Sequence, residues 1–91
     1  MTVKYFATIR TYTGETARRL EGAPPTLGEL LAQLAQRYGA PFRHAVLTGD
    51  DALGEAVIIL VNGRNVVHLR GLETPLADDD EVSIFPLVAG G

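Results

Sequence analysis

The chain has 91 residues, of which 46% are hydrophobic and 21% are charged, and its formal net charge is −3. This length suits one domain, and the composition is too apolar for a disordered segment. No cysteine is present, which excludes disulfides, zinc–thiolate sites, iron–sulfur ligation and thiol nucleophiles.

The charge and hydropathy of the chain also argue against certain classes of partner and against a location in the membrane or outside the cell. The negative net charge argues against binding to nucleic acid or to an anionic membrane, because both need clustered lysine and arginine. The longest apolar run, residues 56–61, is much shorter than the ~20 residues that span a bilayer. The first residues lack the basic start and long apolar stretch of a secretory signal. We therefore expect a single cytoplasmic domain over residues 1–91 that binds neither nucleic acid nor membrane.

An alternating pattern in residues 2–10 predicts the first strand. One set of side chains is expected to face the core, and it comprises Val3, Tyr5, Ala7 and Ile9. The other set is polar except for one phenylalanine, and it comprises Lys4, Phe6, Thr8 and Arg10. The turn signal Thr13-Gly14-Glu15 precedes residues 16–20, which we interpret as a second, antiparallel strand.

Residues 27–38 carry the clearest element, an amphipathic helix. Thr26 and Glu29 form the capping-box pattern that starts a helix. One apolar stripe follows at helical spacing, made of Leu27, Leu30, Leu31, Leu34, Ala35 and Tyr38. Gly39 suits a left-handed helix end, and Pro41 is expected to prevent the helix from resuming. We interpret residues 40–55 as mostly loop, with a short helical turn at 44–47.

The second half of the chain predicts two further strands and a short edge strand. Residues 56–61 are apolar on both faces, which is typical of a central strand. Asn62-Gly63 is a strong turn signal, and residues 65–69 are interpreted as a short edge strand. After a turn at 78–80, the last strand covers residues 81–87. On that strand Val82 and Ile84 point one way, and the opposite set comprises Ser83, Phe85 and Leu87.

The predicted order is strand, strand, helix, strand, short strand, strand. One helix across one face of a mixed sheet of four to five strands covers these apolar stripes. The right-handed crossover rule places the last strand beside the first, in the middle of the sheet. This α+β arrangement is the β-grasp, and it fills the chain.

Groups for conventional catalysis are scarce. His44 and His68 have no carboxylate at metal-ligand spacing, and Ser83 lacks a Gly-x-Ser-x-Gly elbow. The acidic run at 78–81 is better interpreted as a solvated turn than as a cation site, because consecutive residues rarely converge on one ion. We expect no metal site, no bound cofactor and no enzymatic activity of the chain's own.

The last strand leads into Val88-Ala89-Gly90-Gly91, which we interpret as a flexible tail over residues 88–91. Glycine lacks a side chain and tolerates unusual φ values. Such a tail can therefore thread a narrow channel and present its carboxylate to another protein's active site. On composition alone, an ordinary frayed terminus is the alternative.

Several motifs resemble the MoaD/ThiS sulfur-carrier family of ubiquitin-like proteins, which includes the molybdopterin synthase small subunit and carriers for cysteine synthesis. These motifs span almost the whole chain and comprise residues 5–10, Thr13-Gly14, Thr26-Leu27, Val61-Asn62-Gly63, residues 74–78, Asp80-Glu81-Val82, Phe85-Pro86 and the tail. Two positions depart from the pattern, since the family usually has Gly at the place of Asp79 and often Pro at the place of Leu87. The longer stretch 64–72 is similar to the branch of archaeal carriers and of the carrier for bacterial cysteine synthesis.

The resemblance implies a chemistry for the tail. An activating enzyme would use ATP to adenylate the carboxylate of Gly91, and a sulfur donor would convert it into a thiocarboxylate. Gly90 would give clearance in the enzyme's channel. The sulfur would then pass to an acceptor such as the molybdopterin synthase large subunit or a cysteine synthase, with thiamine or thiosugar synthesis less favoured.

A docking surface is predicted where the first and last strands are neighbours. Phe6 and Phe85 belong to the outward sets of those strands, so their rings should lie together on the face opposite the helix. Arg10 would lie at the edge, suited to a carboxylate of the partner. The residues that lead into the tail complete this partner-binding set: Leu87, Val88 and Ala89.

Two other functions stay open. One is a ubiquitin-like modifier that is conjugated to target lysines through Gly91. Lys4 is the one lysine of the chain, so self-linked chains would have few attachment points. The other is a non-catalytic β-grasp binding module with an incidental tail.

Overall fold

The structure, a computed structural model, describes residues 1–49 and 52–87. Three helices and seven strands are formed in this part of the chain. In chain order they are β1 (Thr2–Tyr5), α1 (Thr8–Thr13), β2 (Ala17–Arg19), α2 (Leu27–Tyr38), α3 (Ala40–Val46), β3 (Leu47–Thr48), β4 (Ala52–Leu53), β5 (Val57–Val61), β6 (Arg64–Asn65) and β7 (Glu81–Pro86). Two 3₁₀ turns, Val66–His68 and Gly71–Glu73, connect β6 to β7.

The main sheet has five strands in the order β2-β1-β7-β5-β6. β1 and β7 are parallel, with Val3 opposite Val82 and Tyr5 opposite Ile84, and the other neighbours are antiparallel. The prediction of a mixed sheet with the last strand beside the first is therefore confirmed. With α2 as the main helix, this is the β-grasp fold.

α2 begins and ends at the predicted residues. The hydroxyl of Thr26 accepts a hydrogen bond of 3.3 Å from the Glu29 N–H, which satisfies one free donor of the first turn. At the other end, Gly39 has a φ of 94°, and its N–H donates to the carbonyl of Ala35. The leucines of the apolar stripe are buried in the core with Val3, Tyr5, Ile59, Val82 and Ile84.

The prediction of one strand over residues 2–10 was wrong. β1 stops at Tyr5, and α1 takes up residues 8–13. Ala7 is exposed and has a φ of 51°, a conformation that turns the chain out of the sheet. Gly14 ends α1 in the left-handed region at a φ of 72°. Ile9 still reaches the core, but it does so from a helix.

Residues 40–55 were also predicted wrongly, as mostly loop. α3 covers residues 40–46, and β3 and β4 pair as a small antiparallel ladder. Pro41 lies in the first turn of α3, where a missing N–H costs no hydrogen bond, so it begins a helix rather than preventing one. Phe42 and Val46 are buried in the core, which gives this short helix a packed face.

The predicted edge strand over residues 65–69 is shorter than expected. β6 consists of Arg64 and Asn65 alone. The Asn65 side chain accepts a hydrogen bond of 3.0 Å from the Val67 N–H, which starts the 3₁₀ turn at residues 66–68. Val66 is buried by this turn, and Val67 is left exposed.

A hydrogen-bonded cluster ties the sheet edge to the end of α2. The Tyr38 hydroxyl donates to the Glu15 carboxylate, so the buried Tyr5 hydroxyl, 3.0 Å away, donates to Tyr38. Arg18 donates to the same carboxylate at 2.9 Å. The hydrogen bond from Tyr38 lowers the pKa of Glu15, and burial raises the pKa of Tyr5 well above its ordinary value. The cluster joins β1, the turn before β2 and α2.

Candidate functional site

Phe6 and Phe85 form a stacked pair on the sheet face that points away from α2. Their ring centroids are 4.2 Å apart, and their planes differ by 9°. Phe6 follows β1 directly, and its N–H donates to the carbonyl of Ile84, which extends the β1–β7 pairing by one residue. Both rings are half-buried. The expected juxtaposition of the two rings is present, although β1 ends one residue before Phe6.

Arg10 lies beside this pair, as the sequence predicted. Its guanidinium carbon is 5.7 Å from the centroid of the Phe6 ring, within the range of a cation–π contact. Its Nε donates a hydrogen bond of 2.8 Å to the carbonyl of Tyr5, which fixes the side chain over the ring. The first turn of α1 places Arg10 there, so the helix positions the cation at the edge of the aromatic pair.

The apolar surface continues across the sheet to β5. Ile58 lies opposite Phe85, and Leu60 lies opposite Ser83, so their side chains share one face. Both are half-buried, whereas the alternate residues Ile59 and Val61 are buried. We call the half-buried set of Phe6, Ile58, Leu60 and Phe85 the open face.

A pair of charged groups, one on β1 and one at the start of β7, borders the open face. The ammonium group of Lys4 is 2.9 Å from the carboxylate of Glu81, and about half of each side chain is exposed. An exposed ion pair of this kind adds at most ~1 kcal/mol to stability. The surface therefore has an apolar part toward the end of β7 and a charged part toward its beginning.

Leu87 marks the point where the chain leaves the sheet. Its N–H donates to the carbonyl of Ala56 at 2.9 Å, and its side chain is 49% exposed. The remaining predicted site residues, Val88, Ala89, Gly90 and Gly91, lie outside the described residues. The predicted tail and its role accordingly stay predictions.

A groove of about 330 Å³ lies beside Leu87. Its walls come from α1, α3, the residues just before β5 and the end of β7, and they include Thr8, Ile9, Tyr12, His44, Glu55 and Leu87. We call this the exit groove. Sequence interpretation missed it because it assigned α1 to a strand and most of α3 to a loop. The spacing of Ile9 and Tyr12, followed by Gly14, was the available signal for a helix.

The carboxylates of the acidic turn before β7 accept hydrogen bonds from other groups of the protein. The two carboxylate oxygens of Asp80 accept hydrogen bonds from the Asn62 side chain and the Ala77 N–H, both at 2.8 Å. Asp78 accepts a bond of 2.9 Å from the Ala23 N–H. Within residues 1–49 and 52–87, no group of three or more histidines and carboxylates could hold a metal ion. In the same part of the chain, every helix is too short or too polar to cross a membrane.

We compared the amino-acid sequence of the chain with models of known protein families. Residues 3–91 match the model of the ThiS family. The chain belongs to the ThiS family. The resemblance found in the sequence motifs is thereby confirmed.

Individual ThiS-type relatives cover nearly the full chain. Small archaeal modifier protein 3 of Haloferax volcanii is 37% identical over 91 residues, which are 98% of this chain and 96% of that protein. Sulfur carrier protein CysO of Mycobacterium tuberculosis is 34% identical over 92 residues, covering 100% of this chain and 98% of that protein. A chain in the crystal structure of the Amycolatopsis orientalis BexX/CysO complex superposes with a TM-score of 0.82 at 30% identity, covering 99% and 98% of the two chains.

Proposed function

We propose that this ThiS-family chain is a sulfur carrier whose reactive group is the carboxylate of Gly91. The observation that carries the proposal is the family match, which runs through residue 91 and so includes the glycine pair beyond the end of β7. The names of the relatives support it, because CysO is called a sulfur carrier protein. The chain itself acts as a protein co-substrate rather than as an enzyme.

The proposed chemistry starts from a poor electrophile. The Gly91 carboxylate attacks ATP in the activating enzyme, releases pyrophosphate and becomes an acyl adenylate. A sulfide donor then attacks the acyl carbon, and AMP leaves with the bonding electron pair. The product is a thiocarboxylate, which is a nucleophile held on a protein. Sulfur thus travels attached to the carrier instead of as free sulfide.

The open face supplies the docking surface in this proposal. Aromatic side chains and arginine are the residues that most often anchor protein interfaces. Phe6 and Phe85 offer a flat, half-buried pair, and Arg10 is held over it by its bond to the Tyr5 carbonyl. A partner that covers this face would remove apolar surface from water and meet one fixed cation. Leu87, Val88 and Ala89 would then guide Gly90 and Gly91 into the enzyme.

Two partner enzymes follow from this chemistry. The first is the activating enzyme. That enzyme, and not the carrier, would bind the ATP used for adenylation. The second is a sulfur acceptor, for which the molybdopterin synthase large subunit and a cysteine synthase are the first candidates. The crystal structure of a BexX/CysO complex supports the general pattern of a carrier that forms a complex with a partner protein.

The test is an intact-mass measurement on the protein after incubation with ATP, its activating enzyme and sulfide. We expect a gain of about 16 Da, because one carboxylate oxygen is replaced by sulfur after acyl activation. A chain without Gly90 and Gly91, and a chain extended by one residue after Gly91, serve as controls and should stay unchanged. Absence of the adduct on the wild type, or its presence on the truncated control, contradicts the proposal.

A ubiquitin-like modifier is the second candidate. The relative from Haloferax volcanii favours it, because that protein is called a small archaeal modifier. In this function Gly91 would form an isopeptide bond with a lysine of a target protein. Ladders of higher mass that carry the tagged chain in cell extracts, and that disappear when Gly90 and Gly91 are deleted, would identify this function. A binding module without tail chemistry would instead keep its activity after that deletion.

A further inference from the structure

The exit groove concentrates exposed apolar side chains at the start of the tail. Three large hydrophobic side chains are exposed in the described part of the chain: Tyr12 at 38%, Val67 at 70% and Leu87 at 49%. Tyr12 and Leu87 line the same groove, while Val67 follows β6 at the far edge of the sheet. Exposed apolar residues that share one concave surface are a feature of interaction sites, whereas a single one is ordinary.

The length of the tail limits where a partner must stand. Four residues follow Leu87, and four fully extended residues span at most about 14 Å. An enzyme that reacts with the Gly91 carboxylate must therefore bring its reacting atoms within about 14 Å of Leu87. Its surface around that channel then covers the neighbours of Leu87, which are the walls of the exit groove.

We propose that the exit groove is a docking site for the rim of the activating enzyme's channel. This inference rests on the proposed function of Gly91. The groove is lined by both polar and apolar residues, and Pro86 and Leu87 are among its apolar ones, so we expect it to take an apolar side chain of the enzyme. Tyr12 and His44 stand on its walls and offer a phenolic hydroxyl and an imidazole, so hydrogen-bonding groups of the enzyme should flank that apolar side chain. The helices α1 and α3 thus extend the contact beyond the open face.

Matched alanine variants on the isolated protein test this site. Tyr12→Ala and His44→Ala remove the two walls from different helices, and both side chains are exposed, so the fold should persist. Val67→Ala removes a more exposed apolar side chain outside the groove and is the control. Each variant is titrated against the activating enzyme for its Kd and then assayed for the thiocarboxylate by intact mass. Thermal melts confirm that each variant is folded.

We expect Tyr12→Ala to raise the Kd at least about tenfold, as for an interface anchor, and His44→Ala to raise it by a smaller factor. Val67→Ala should leave the Kd within about twofold. The inference is overturned if folded Tyr12→Ala and His44→Ala both bind like the wild type, or if Val67→Ala weakens binding equally. A wild type that forms no thiocarboxylate contradicts the proposed function and removes the inference with it. A wild type that forms the thiocarboxylate while both groove variants bind normally contradicts this inference alone.

Discussion

Phe6 and Phe85 stack at a centroid distance of 4.2 Å, although 78 residues separate them in the sequence. The parallel pairing of β1 with β7 produces this contact, because its register sets Tyr5 opposite Ile84 and so brings the next residue of each strand side by side. The stack therefore links the topology of the fold to the surface offered to a partner.

A double-mutant cycle on the free protein should detect the stack. Phe6→Ala and Phe85→Ala should each lower the free energy of unfolding, with a coupling of about 0.5–1.5 kcal/mol between them. Urea denaturation of the wild type, the two single variants and the double variant measures the free energies of unfolding from which the coupling is calculated. Phe6→Ala combined with Val67→Ala is the control cycle. It should be additive within about 0.5 kcal/mol, because Phe6, just after β1, and Val67, beyond β6 at the far side of the sheet, are expected to share no partner. A coupling of zero for the phenylalanine pair would show that the rings do not support each other.

Binding should depend on Phe85 more than folding does. Phe85→Ala should raise the Kd for the activating enzyme about 30-fold or more, because a central aromatic anchor contributes ~2 kcal/mol or more to an interface. Calorimetry at a temperature where the variant is fully folded makes the comparison. An unchanged Kd would contradict the assignment of the docking surface to the open face.

Leu31 tests the assignment of the core. It lies on the buried face of α2 and is fully buried, so Leu31→Ala should reduce the free energy of unfolding by about 2–5 kcal/mol. Val67→Ala is a suitable control, since its side chain is 70% exposed and its loss should cost less than about 0.5 kcal/mol. Equal costs for the two variants would contradict the packing of α2 on the sheet.

Much of this fold could be predicted because local and tertiary signals agree. In α2 the capping residue predicts the start, the terminating glycine predicts the end, and the apolar stripe fills the residues between them. These signals agree with one another. The neighbouring positions of β1 and β7 followed from the crossover rule. Once those strands are paired, the alternation of side chains places Phe6 beside Phe85.

The helices α1 and α3 could not be predicted in the same way. Neither has a side-chain hydrogen bond at its N-cap, and both are shorter than eight residues, so tertiary packing stabilises them. Ile9 fits the core face of an extended strand four residues after Tyr5, and it also fits the buried side of a helix. The alternating pattern therefore predicted a strand that is longer than β1. The exit groove was missed because both of these helices form its walls.

Acid should weaken the cluster around Glu15. The hydrogen bond from Tyr38 lowers the pKa of this carboxyl below its value in the unfolded chain. The stabilisation is therefore present above the unfolded pKa of about 4.3 and is lost as the pH falls through the lower folded pKa.

Glu15→Gln isolates this contribution. The wild type should melt at a higher temperature than Glu15→Gln at neutral pH, and the difference should shrink toward zero as the pH falls to about 2. Melting curves in a pH series measure the difference. Glu21→Gln removes one exposed carboxylate in the loop before α2 and is the control for the loss of a negative charge. A difference in melting temperature that grows on acidification would contradict the assigned direction of the pKa.

The position of sulfur on the chain is the most direct measurement of the central claim. Arg70 is the last basic residue, so trypsin releases residues 71–91 as one C-terminal peptide. After incubation with ATP, the activating enzyme and sulfide, this peptide should be heavier by about 16 Da, and fragment ions should place the sulfur at Gly91. Sulfur on any other peptide, or an unmodified peptide 71–91 in a reaction that consumes ATP, would contradict a carrier that acts through its terminal carboxylate.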